Sequence, residues 1–231
     1  MFGQFKQRSD KLERLDTGDY TTAQYAHWQK EMRFIHRIFG EMRALKATLY
    51  RTIEASENTR PFILDVGAGS GELLGELGKW VSNRHATLVG VEINTEAARS
   101  IRDRDIFAIQ SDALHLPFAD NSFDYAFCSL FLHHLDDKAA AVLLREMARV
   151  VRGRIFVIDL NRHPTAYYVY KIVGWPFLQR FTLDDGALSI LRSRTPDELR
   201  ILAETAGLRD ILVEHSRVNR LVLSGAKAAN E

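Results

Sequence analysis

Between Phe62 and Leu160, short apolar runs alternate with helical stripes, and no other feature constrains the chain as tightly. Phe62–Val66, Thr87–Ile93, Phe107–Gln110, Tyr125–Ser129 and Arg154–Leu160 read as five buried strands. Between them, apolar residues recur at helical spacing: Leu73, Leu74, Leu77, Trp80 and Val81, then Ala97, Ala98 and Ile101 from a start at Asn94 or Thr95. A third stripe, Val142, Leu143, Met147 and Val150, follows a cap at Asp136 or Asp137. Strands alternating with helices require right-handed crossovers, so the prediction is an α/β, doubly wound parallel sheet covered on both faces.

The two ends differ from this middle. Tyr25 to Ile53 carries apolar residues every three or four positions (Trp28, Met32, Ile35, Phe39, Met42, Leu45, Leu49), which predicts amphipathic helices broken near Gly40. Thr195-Pro196-Asp197-Glu198 is a capping box with proline in the first turn, and Gly207 closes that helix. Ile211–His215 and Leu221–Ser224 are then too close together for a parallel crossover, so they should pair as an antiparallel hairpin. The expected division is a helical cap over 1–58 and a catalytic-type domain over 59–231, with an insertion near 163–195.

The loop after the first strand reads Asp65-Val66-Gly67-Ala68-Gly69-Ser70-Gly71-Glu72. Gly67 and Gly69 permit positive φ and close approach of a ligand, while Gly71 lets the helix start against the sheet. A dinucleotide fingerprint would place its third glycine where Glu72 stands, and a carboxylate there repels a pyrophosphate. A ligand carrying an ammonium and a sulfonium meets no such penalty. Glu92, ending the second strand, can accept from both hydroxyls of a ribose, and Asp112, after the third strand, from an adenine amine. Singly these are turn glycines, caps and loop acids. In this order they face one crevice.

These residues resemble class I S-adenosylmethionine-dependent methyltransferases of the ubiquinone/menaquinone type. The likeness runs from about Phe62 to Gly225 and is densest at Asp65–Gly71, Glu92, Asp112–Phe118 and Phe123–Leu135. It implies a Rossmann-like seven-stranded sheet, mostly parallel with an antiparallel C-terminal hairpin. It also implies S-adenosylmethionine bound by Asp65, Gly67, Ala68, Gly69, Gly71, Glu92, Ile93, Asp112, Ala113 and Ser129.

The acceptor should sit beside the segment after the fourth strand, Ser129 to Leu135. No [DN]-P-P-[YFW] motif is present there, which disfavours nucleobase and amide nitrogens. His133 and His134 are the candidate bases, since a histidine with an ordinary pKa of about 6.5 can deprotonate a phenol or acidic carbon; either could instead pack or cap a loop. The run His133-His134-Leu135-Asp136-Asp137 lacks helical ligand spacing, so no metal is expected. Asp159, Asn161, Arg162 and His163 close the fifth strand and should face the same crevice, Asp159 as a positioning residue.

Residues 165–181 hold six aromatics (Tyr167, Tyr168, Tyr170, Trp175, Phe177, Phe181) and no acid. Such a stretch suits a cover for a flat, lipophilic acceptor; plain core packing and interfacial contact with a membrane are its competing uses. Tyr20, Tyr25 and Trp28 are lid candidates, with a dimer seam as the alternative.

The 231 residues carry 31 basic and 30 acidic side chains, a net charge of +1, which argues against a sequence-independent grip on nucleic acid. One cysteine, Cys128, excludes a disulfide framework. With no signal-like start and no apolar run of membrane length, the expectation is a cytoplasmic monomer or homodimer without stable membrane insertion. The reading is a methyltransferase acting on oxygen or carbon of a small hydrophobic acceptor. Its rivals are an NAD(P)-dependent oxidoreductase and a non-catalytic domain that keeps the fold for binding.

Overall fold

The structure, a computed structural model, describes residues 3–227, with the side chains at 29, 33, 34 and 36–39 outside the description; the Phe39 position of the expected helical stripe and the ends of the expected division, 1–2 and 228–231, therefore lie outside the described residues. The N-terminal part holds α1 (Arg14–Thr17), α2 (Thr22–Phe39), α3 (Glu41–Leu45), a π-type stretch (Lys46–Tyr50) and α4 (Arg51–Ala55). There follow β1 (Phe62–Val66), α5 (Glu72–Trp80), β2 (Thr87–Glu92), α6 (Thr95–Arg102), β3 (Phe107–Gln110), β4 (Phe123–Ser129), α7 (Asp137–Val150) and β5 (Val151–Leu160). The chain ends with α8 (Pro164–Gly174), α9 (Arg180–Arg192), α10 (Pro196–Thr205), β6 (Leu208–Ser216) and β7 (Arg220–Lys227).

The seven strands lie in the order β3-β2-β1-β4-β5-β7-β6. The first five pair in parallel, and β7 joins antiparallel to both β5 and β6. The order reverses between β1 and β4, and a doubly wound sheet opens its binding crevice at that switch point.

Period-two alternation divides the core between the sheet's two faces. Leu64, Val66, Ala126, Cys128, Ile155 and Val157 face α7 and α10. Ile63, Tyr125, Phe127, Phe156 and Ile158 face α5 and a helical layer led by Leu45, Leu49 and Ile53. The N-terminal helices therefore have two uses. Residues 41–55 cover the sheet, whereas α1 and α2 lie against α9. The hinge is Gly40, whose φ of +104° a residue with a Cβ rarely adopts.

The predicted caps are present: Asn94 on α6, Asp136 on α7, and the reciprocal Thr195–Glu198 box on α10. The hairpin strands are longer than predicted: Leu208, Arg209, Asp210 and Ser216 extend β6, and Arg220, Gly225, Ala226 and Lys227 extend β7, a mixture that carries no alternation of its own.

Candidate active site

The glycine loop sits at the C-terminal end of β1, where Gly67, Gly69 and Gly71 have φ of +72°, +53° and +74°. Their surroundings differ. A Cβ on Gly71 would stand 3.0 Å from Cγ1 of Ile101, so this glycine seats α5 on α6; one on Gly67 would meet the Phe131 ring at 3.0 Å. One on Gly69 meets nothing within 4 Å. Gly67 and Ala68 also donate their amides to the Val91 carbonyl, tying the loop to β2.

Glu92 Oε2 accepts from the Gly69 amide at 2.9 Å and Oε1 from the Asn94 amide at 3.0 Å. Asp112 accepts from the Leu114 amide at 2.9 Å and keeps half its side chain exposed. Asp65 is buried beneath the loop, and burial, reinforced by Glu92, holds its carboxyl well above the usual range. Glu72 lies 3.7 Å from Arg104, whose Nε also donates to the Ser70 carbonyl at 3.0 Å.

Three features fit an adenosyl sulfonium. Ile93 is 68% exposed directly after Glu92, an uncovered apolar surface for a purine. Ser129 Oγ, at the end of β4, is buried with no hydrogen-bond partner among the described residues. The third is the open face of Gly69, where a Cβ would meet nothing within 4 Å; Ala113 is buried directly after Asp112.

Beyond β4 the chain turns sharply: Leu130 has φ of +52°, and its amide donates to the Ile158 carbonyl at 2.8 Å. A non-glycine residue there is strained, and here the turn presents Phe131 to Gly67 and His133 to Asp159. The His133 amide reaches Asp159 Oδ2 at 2.9 Å, and its Nδ1 lies 2.7 Å from Oδ1. Burial would raise Asp159, but the charge and hydrogen bonds of His133 outweigh it and hold the carboxyl below its ordinary value.

His134 does not point elsewhere, as neighbouring residues commonly do. Its ring lies 4.2 Å from that of His133, and its Nδ1 is 2.8 Å from Asp16 Oδ1. Asp16 belongs to α1, whose first amides, Arg14 and Leu15, donate to Asp185 of α9 at 3.2 and 3.1 Å. The same anchor delivers Glu13, which accepts from Ser189 at 2.9 Å and lies 3.9 Å from His133 Nε2. Burial pushes Glu13 up to about 7, against the pull of His134 and Ser189. Asp16 is held low: hydrogen bonds from His134 and Arg192 overcome the effect of burial.

Sequence reading missed Glu13, Asp16 and the arginines that pin this loop. Arg8 donates to the carbonyls of His133 and Leu135, Arg192 to that of His134, and Arg194 to those of Leu132 and Leu135. The signal is absent from the chain order, since Asp16 and His134 stand 118 residues apart. Glu13, His133 and His134 bring one ligand atom each within 4.8 Å of one another, a grouping that their spacing concealed. Both Nδ1 atoms are already engaged by carboxylates, which leaves the Nε2 atoms for proton exchange.

The expectation that Asp159, Asn161, Arg162 and His163 all face the crevice is corrected for Arg162 and His163. Only Asp159 reaches the histidines. Arg162 turns inward to Glu198 and the Ser193 and Phe5 carbonyls, and His163 caps α8. The three lid candidates form a ladder, Tyr20 and Tyr25 at 5.2 Å and Tyr25 and Trp28 at 5.5 Å, extended by Phe181 of α9 at 5.6 Å from Tyr20.

Residues 64–157 match the family described as a methyltransferase domain. The chain is 35% identical over 184 residues to the demethylmenaquinone methyltransferase of Roseiflexus sp. (strain RS-1), covering 71% of this chain and 72% of that one. It is 32% identical over 168 residues to the ubiquinone/menaquinone biosynthesis C-methyltransferase UbiE of Hahella chejuensis, covering 63% and 66%. Among solved structures, a SAM-dependent methyltransferase from Aquifex aeolicus aligns with TM-score 0.57 at 16% identity, over 84% of this chain and 96% of that one. Human N-acetylserotonin methyltransferase in complex with SAM aligns at 0.62 and 18% identity, over 95% and 63%. These two share the fold.

A glycine loop opening beside two strand-end carboxylates, on a sheet that ends in an antiparallel hairpin, defines an S-adenosylmethionine-dependent methyltransferase. The chain belongs to the class I methyltransferases of the ubiquinone/menaquinone type. The dinucleotide oxidoreductase reading falls with that assignment.

Proposed function

We propose that this enzyme methylates an oxygen or carbon of a small, hydrophobic, aromatic acceptor, a phenol, quinol or polyketide-like ring, with His133 as general base. The observation that carries the reading is the buried His133–Asp159 pair next to the end of β4. Asp65, Gly67, Ala68, Gly69, Gly71, Glu92, Ile93, Asp112, Ala113 and Ser129 hold the cofactor. Glu92 takes the ribose hydroxyls and Asp112 the adenine amine.

Bound S-adenosylmethionine supplies a methyl group on a positive sulfonium, which is already a good leaving group. What remains for the chain is to align the acceptor, keep water away and accept one proton. Ionised Asp159 keeps the His133 proton on Nδ1 and the lone pair on Nε2, turned towards Glu13. The acceptor hydroxyl gives its proton to Nε2 as its oxygen or ring carbon attacks. Glu13, with a pKa of about 7, stands next in line for that proton. No metal enters this scheme.

The relatives named for demethylmenaquinone methylation support a quinol-type ring, and the Tyr20–Tyr25–Trp28–Phe181 ladder supports a flat one. The test is transfer of a deuterated methyl group to a panel of phenols and alkylated hydroquinones, with primary amines as controls. Label on phenol or quinol oxygen or ring carbon is expected. Label on amines alone would overturn the proposal.

A further inference from the structure

Of the fourteen large hydrophobic side chains left exposed among the described residues, six fall between 168 and 177: Tyr168, Val169, Ile172, Val173, Trp175 and Phe177. They are not the face by which α8 packs on α9, although the Tyr168 ring also meets that of Phe5 at 6.1 Å. That face uses Tyr170, whose hydroxyl donates to the Thr182 carbonyl at 2.8 Å and whose ring lies on Gly186, where a Cβ would meet its oxygen at 2.2 Å. Gly174 completes it against Leu178 and Leu183. The helix is thus apolar on two faces, and α9 covers one. Trp175 and Phe177, 76% and 78% exposed, flank Pro176 on the turn leaving α8, with the exposure of a protruding tip. Monomers seldom leave such a contiguous patch without a use.

Charge beside the patch selects its occupant. Residues 165–181 carry Lys171 and Arg180 and no acid. A groove along the α8 flank is lined by Arg8, Lys11 and Lys171, with Asp184 its single acid, itself 3.5 Å from Arg180. An apolar tip of Trp and Phe beside a cationic groove is the composition of a segment lying on an anionic lipid surface.

We infer that α8 and the turn after it dock on an anionic phospholipid bilayer, with Trp175 and Phe177 at the acyl boundary and Lys11 and Lys171 at the phosphates. This goes beyond the acceptor proposed above and does not depend on it. Among the described residues no helix is long and apolar enough to cross a membrane, so the contact is peripheral.

Flotation of the full chain with phosphatidylglycerol/phosphatidylethanolamine vesicles, against phosphatidylcholine vesicles, tests the inference. The wild type is expected to float with the anionic vesicles and to be released by high salt. The Trp175→Glu/Phe177→Glu pair should lower the bound fraction at least about tenfold, and the Lys11→Gln/Lys171→Gln pair should remove the preference for anionic lipid. Calorimetric binding of S-adenosylmethionine by each variant establishes that it is folded. Wild type that fails to float, or a glutamate pair that floats equally well, would overturn the inference. So would a wild-type dimer that the glutamate pair splits without any flotation, which assigns the face to a second copy. Methyl transfer to soluble acceptors is read separately, so failure here leaves the proposed chemistry standing.

Discussion

Glu92 and Gly69 are joined by a hydrogen bond of 2.9 Å, so the carboxylate that ends β2 also holds the cofactor loop that follows β1. Glu92→Ala removes the carboxylate proposed to accept from ribose and frees the Gly69 amide. Charge-assisted hydrogen bonds contribute about 1.5–3 kcal/mol each, so S-adenosylmethionine affinity should fall roughly 10- to 100-fold. Calorimetry decides it, and an affinity within about twofold of wild type would remove Glu92 from the cofactor site.

Gly69 and Gly71 separate binding from folding. Both have positive φ, but only at Gly71 would a Cβ stand 3.0 Å from a packed neighbour, Ile101. Gly71→Ala should cost about 1–3 kcal/mol of stability. Gly69→Ala should cost about 1 kcal/mol and act mainly on cofactor affinity. Denaturant unfolding and calorimetry on both proteins would show this crossing of effects; equal losses in both measurements would contradict it.

Glu13 makes stability depend on pH. Burial raises its pKa from 4.5 to about 7, so between those values the folded chain keeps a proton that the unfolded chain releases. Its contribution is therefore present below pH 4.5, falls as pH rises, and is lost above 7, by roughly 3 kcal/mol in all. Thermal midpoints of Glu13→Gln and wild type should converge in acid and part above pH 7, with the variant the more stable. Parallel curves would show that the folded site leaves Glu13 at its ordinary value.

What sequence could deliver was whatever repeats locally. The β1 and β3 boundaries, the Thr195–Glu198 box and the left-handed glycines follow from alternation, capping and steric freedom within a few residues. The acidic residues at strand ends were legible because the parallel topology places strand ends together. The pinning of the His133–His134 loop was not. It depends on isolated polar residues, Arg8, Glu13 and Asp16, in a stretch with no apolar period, and their partners lie in α9 and beyond β4. Arg162 was misplaced for a related reason: a polar residue after a strand gives no sign of whether it turns to the crevice or to Glu198.

The helical layer is tied to the sheet by a buried ion pair. Arg220 of β7 donates through Nε to Glu41 of α3 at 2.7 Å, and both side chains are at most 5% exposed. Glu41→Ala strands the guanidinium and should cost about 3–5 kcal/mol in denaturant unfolding. A Glu41→Met/Arg220→Met double variant should recover most of that loss, because two apolar side chains need no partner; a double variant as unstable as the single one would contradict the assignment.

In the proposed mechanism, cofactor holding and proton removal reside in different residues. The most direct test of that division is the methyl-transfer rate of His133→Asn with a phenolic acceptor at saturating S-adenosylmethionine, with cofactor affinity measured on the same sample. The rate should fall by about 10²- to 10⁴-fold, with affinity changed less than about twofold. A rate equal to wild type would contradict it and leave His133 a packing residue.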